Sequence, residues 1–160
     1  MDTTQVSHHI NLIKKDNVKW LRYANALIQG ESLGKDAIPR TFYECAGCQW
    51  LFEHSGEFAN HTKRFDQDEI DLFHFDLIEQ IVILRYELSE YYLQIFKMYF
   101  PKVNNSFFKN IFLNEVLSSS LEKTKVKQIY VEMQQLVIEL NKKLHLLEDF
   151  LLDSCHLNIA

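Results

Sequence analysis

The sequence predicts an all-α fold, an antiparallel four-helix bundle with additional short helices. Three observations predict it. Four glycines and two prolines in 160 residues are too few turn-makers for many short strands. Apolar residues make up 47% of the chain and recur at three- and four-residue steps over long stretches. The connections between most of those stretches are short, which favours antiparallel neighbours. The length suits a single domain, residues 1–160, with a sizeable core.

The first helix is expected over 4–29, where Val6, Ile10, Ile13, Trp20, Leu21, Ala24, Leu27 and Ile28 form one stripe. Gly30 is its stop. Asn17 is a polar residue on that stripe, and a polar group facing a core needs a partner. Gly30, Gly34 and Pro39 punctuate the connection that follows. A short helix over 45–54 comes next, ending near Gly56. Asp66 or Asp68 then caps a long helix over 68–98, whose face carries Ile70, Phe73, Leu77, Ile78, Ile81, Leu84, Leu88, Tyr91, Tyr92 and Ile95. His74 lies on or beside that face. Pro101 closes the helix. A phenylalanine-rich helix is expected over 106–117, and a last helix over 120–153. The near-heptad stripe of that last helix, Leu121 to Leu151, suits bundle packing. The tail from Cys155 is expected to fray.

Charge and composition exclude several functions. Net charge is −5, and no basic patch of the kind nucleic acids require is present. The polar start Met1-Asp2-Thr3-Thr4-Gln5 has no signal-peptide core, and no run of eighteen apolar residues spans a membrane. Three cysteines, an odd number, do not make a disulfide framework, so a reducing, cytoplasmic setting is expected. No phosphate-cradling glycine loop, nucleophile elbow or metalloprotease helix motif is present, so catalysis is not expected. A di-iron bundle needs inward carboxylates and paired histidines at helical spacing. His8-His9, His145 and His156 lack that spacing.

The chemistry concentrates in Tyr43-Glu44-Cys45-Ala46-Gly47-Cys48-Gln49-Trp50-Leu51-Phe52. Cys-x-x-Cys serves as a pair of thiolate metal ligands or as a redox pair, although a closed zinc site needs four donors. In an antiparallel bundle Asn17, Cys45 and His74 are expected to converge at one end.

That arrangement resembles the chemoreceptor zinc-binding family, the CZB domains, over roughly residues 10 to 95. The family pattern has a histidine three residues before an aromatic on the first helix. It continues with a cysteine, a glycine three residues later and a large apolar residue two beyond that. His-x-x-x-His follows on a later helix. Asn17-Val18-Lys19-Trp20, Cys45-Ala46-Gly47-Cys48-Gln49-Trp50 and His74-Phe75-Asp76-Leu77-Ile78 line up with the three parts. The resemblance implies a sensory bundle in which zinc at a helix junction alters packing and hence a partner's output. Here Asn17 and Ile78 stand at two family ligand positions, and Cys48 replaces the glycine. Cys45 and His74 remain as candidate zinc ligands, with Cys48, His54 or His61 as compensating donors. Three functions therefore stay open. They are a CZB-like regulatory bundle, a metal-free interaction or dimerisation module, and a thiol switch at Cys45 and Cys48. A protein partner or a homodimer receives the output in the first two.

Overall fold

The computed structural model describes residues 2–34, 45–54, 68–100 and 120–157, without the side chains of 68–75, 120, 121, 154, 156 and 157. The first helix, α1 (Thr3–Ile28), starts at Asp2. The Asp2 carboxylate accepts a hydrogen bond from the Thr4 N–H at 3.2 Å, which satisfies one orphan donor of the first turn. The helix ends in a Schellman turn. Gly30 adopts φ 75°, where a Cβ would be strained. Its N–H donates to the Leu27 carbonyl, and the Glu31 N–H to that of Ala26.

Three further helices follow among the described residues: α2 (Ala46–Glu53), α3 (Asp68–Tyr99) and α4 (Ser120–Leu157). Among the described residues there is no strand. The helix expected over 106–117 lies outside the described residues. The last helix is longer than its apolar pattern suggested. It continues to Leu157, because Cys155 extends the stripe four residues beyond Leu151 and is itself buried. Residues 155–157 are therefore helical, where fraying was expected.

Helix directions follow from cross-helix pairs. Lys14 bonds Glu148 and Asn17 bonds Asn141, so α4 runs opposite to α1. Lys143 bonds Gln80 and the Tyr91 hydroxyl bonds Glu132, so α4 also opposes α3. Consequently α1 and α3 are parallel, as the Asn17–Arg85 and Trp20–Tyr92 contacts require. The start of α2 lies in the field of Asp16, while Trp50 near its end stacks on His9, so α2 runs back along α1. The result is an up-down-up-down bundle in which α2 is a short second member.

The core is the set of facing stripes. Val6, Ile10, Ile13 and Leu27 of α1 meet Ile81, Leu88, Tyr92 and Ile95 of α3 and Met133, Leu140, Leu144 and Leu147 of α4, all at most 1% exposed. Burial of each aliphatic side chain contributes roughly 1.5–3 kcal/mol. Among the described residues two polar side chains interrupt this core, Asn17 and Arg85.

Candidate functional site

Asn17 and Arg85 are polar for a shared reason: they bond each other. The Arg85 guanidinium donates from one terminal nitrogen to Asn17 Oδ1 at 2.6 Å. Its other terminal nitrogen donates to Asp16 Oδ2, also at 2.6 Å. Asn17 Nδ2 donates to Asn141 Oδ1 at 3.1 Å, and Trp20 Nε1 donates to Asp16 Oδ2 at 3.2 Å. One arginine of α3 thus clamps two consecutive residues of α1, and Asn17 passes the connection to α4. Arg85 is 4% exposed and Asp16 26%, so the ion pair is largely shielded from water.

The short helix brings sulfur to the same junction. Cys45 is the N-cap residue of α2, and Cys48 lies in its first turn. The Cys48 thiol donates a hydrogen bond to the Cys45 sulfur, and the field of Arg85 reaches both sulfurs. The bond from Cys48 is the largest influence on Cys45. Burial opposes it and Arg85 reinforces it, and the Cys45 thiol is held near a pKa of about 7. Cys48 moves the other way, pushed up by its bond to Cys45 and by burial. One thiol is thereby prepared to ionise while its neighbour keeps its proton.

Gly47 explains how α2 comes so close. A Cβ there would stand 2.6 Å from the His9 carbonyl oxygen and 2.6 Å from Ile13 Cγ1. Only glycine lets the α2 backbone lie on α1 at this point. Trp50 then stacks on His9 with ring centres 4.6 Å apart, and His54 also stacks on Trp50 at 5.0 Å.

The candidate ligands of the sequence are distributed unevenly about this junction. Asn17, Cys45 and Cys48 are brought to it. Ile78 is buried in the apolar core. His54 lies with Nδ1 2.9 Å from the Trp50 carbonyl oxygen, turned toward its own helix. His61 and the side chain of His74 lie outside the described residues, and with them the Cys45–His74 pairing. On α3 the backbone of His74 is eleven residues before Arg85, about 16 Å along the axis at 1.5 Å per residue. Among the described residues no group of three or more His, Cys, Asp or Glu side chains is arranged to hold a metal ion. At the junction itself the donors are two thiols beside a fixed guanidinium. That set differs from the closed four-donor site zinc prefers.

Arg85 is the site residue that the periodicity reading missed. It stands four residues after Ile81 and three before Leu88, squarely on the α3 stripe. A charged residue at such a position is the same signal that singles out Asn17 between Ile13 and Trp20.

Comparison with protein-family models, curated proteins and solved structures finds no match to this chain.

Proposed function

We propose that the chain is a non-catalytic regulatory helical bundle of the kind its resemblance to CZB domains suggests, working without a bound metal. The observation that supports this reading is the Arg85 clamp. A permanently charged guanidinium faces Asp16, Asn17 and the two thiols, at the meeting point of α1, α2 and α3. It supplies the positive charge that a junction of this type would otherwise take from a cation. A divalent ion added beside it would meet repulsion in a poorly screened site.

The output of such a bundle passes through contact with a protein partner or a second copy, in a reducing, cytoplasmic setting. Val131 and Ile138, one heptad apart on α4, with Ile83 and Tyr86 on α3, are among the exposed apolar side chains that could serve it. Among the described residues no helix is long and apolar enough to cross a membrane.

Chelation tests the reading. Thermal unfolding in the presence of a strong chelator should give the same Tm as in its absence. A metal-dependent bundle behaves differently, because metal binding energy is folding energy. A Tm that falls with chelator and recovers with added zinc would overturn the proposal.

A further inference from the structure

We infer that Cys45 and Cys48 form a reversible disulfide by exchange with low-molecular-weight disulfides, so that the junction responds to the thiol–disulfide balance of its surroundings. The inference rests on the metal-free reading, since a metal-bound thiolate is withheld from exchange.

Three features of the geometry carry it. Cys45 caps α2 and Cys48 stands three residues on in its first turn, so the two side chains are neighbours that a modest backbone adjustment can join. They differ in access: Cys48 is 1% exposed, whereas Cys45 at the α2 cap is half-buried and reachable. A buried arginine, fixed by Asp16 and Asn17, carries its field to both. The first feature sets the pair, the second the order of reaction, and the third stabilises whichever sulfur carries the negative charge.

The exchange runs in two steps. The Cys45 thiolate attacks one sulfur of a disulfide RS–SR. A bond forms from Cys45 to that sulfur, the S–S bond breaks, and RS⁻ leaves. Cys48 then loses its proton, which leaves with the released thiol, and attacks the Cys45 sulfur. The mixed bond breaks and the second RSH departs. Overall the protein dithiol and RSSR become the protein disulfide and two RSH, with two electrons passed to RSSR. Neither step needs a metal or a bound cofactor. The product has no thiolate, so the negative charge that α2 presented to Arg85 is gone, and α2 loses that attraction to α3. Redox balance is thereby coupled to the packing of the same three helices that the arginine clamp joins.

Oxidised glutathione is the probe. Purified wild-type chain, checked for metal, is equilibrated over a range of reduced-to-oxidised glutathione ratios, quenched by alkylation and mapped by mass spectrometry. An intramolecular Cys45–Cys48 disulfide should appear and revert as the ratio is reversed. Cys48→Ser should instead accumulate the mixed disulfide at Cys45. Cys45→Ser should react on the order of tenfold more slowly, because the buried thiol keeps its proton. In wild type the alkylation rate of Cys45 should rise with pH through about 7. In Arg85→Gln that rise should move to higher pH, with a rate at neutral pH lower by roughly tenfold for each unit of displacement. Absence of the disulfide at every ratio in metal-free protein would overturn the inference while leaving the metal-free bundle standing. Stoichiometric zinc on Cys45 would overturn both. Equal reactivity of Cys45→Ser and wild type would overturn the assigned order even if Arg85→Gln fails to fold.

Discussion

Arg85 occupies a position that apolar side chains fill along the rest of the α3 stripe, and its energetics follow from what it leaves behind when removed. Arg85→Met retains much of the volume but takes the guanidinium donors from the Asn17 amide oxygen and from Asp16, which keeps its bond from Trp20 Nε1. Breaking one side of a shielded ion pair costs roughly 3–5 kcal/mol. Asn17→Ala should cost about 1–3 kcal/mol, because it orphans one guanidinium bond and the Asn141 amide. The two share a network, so the double variant should lose less than the sum of the singles. Urea unfolding of the four proteins measures this, and strict additivity would show that the clamp does not act as a unit. Half of the clamp was legible in the sequence. Asn17 is a small polar residue between Ile13 and Trp20, and such a residue plainly lacks a partner. Arg85 is harder to see, because a long charged side chain on a helix usually reaches water. Leu84, beside it, satisfies the apolar pattern equally well, yet it is Arg85 that lies inside.

At the scale of the element, α2 depends on one missing methyl group. Gly47→Ala places a Cβ within 2.6 Å of the His9 carbonyl oxygen, backbone that has nowhere to retreat. The variant should be destabilised by about 1–3 kcal/mol, and the Trp50 emission should change as its stack on His9 opens. His9 carries a pH dependence of its own. Its pKa lies below the ordinary histidine value because burial opposes protonation, with His8 and His54 adding repulsion. Among the described residues its Nδ1 is buried without a hydrogen-bond partner. A base held down in the fold favours the neutral form. Its contribution to stability is complete above the unfolded value of 6.5 and is lost as pH falls through the folded one. Unfolding free energy should therefore drop between pH 7.5 and 5, and drop less in His9→Phe, which keeps a ring against Trp50. An equal slope in both proteins would place the pH dependence elsewhere. The long helices were readable because their stripes repeat over many turns. The place of α2 was not, since it depends on Gly47 meeting a particular turn of α1, a contact between residues far apart in the chain.

For the molecule as a whole, the up-down-up-down order follows from facing apolar stripes, and the sequence shows those stripes openly. The register that sets Arg85 at the level of Asn17 follows from packing, which periodicity does not encode. This is why the sequence reading grouped Asn17 with Cys45 and His74 and did not include Arg85. The outer surface makes a separate prediction. Ile138→Lys changes an exposed side chain, so monomer stability should stay within about 0.5 kcal/mol. If α4 is the association surface, sedimentation should show the wild-type chain self-associating and the variant remaining monomeric. Unchanged association in the variant would direct attention to Ile83 and Tyr86 on α3.

Metal content per chain, determined by elemental analysis of protein purified without chelator, tests the arginine-centred junction most directly. A guanidinium that already neutralises the site predicts zinc far below one atom per chain, unchanged in Cys45→Ser. One zinc per chain, lost on that substitution, would contradict the account.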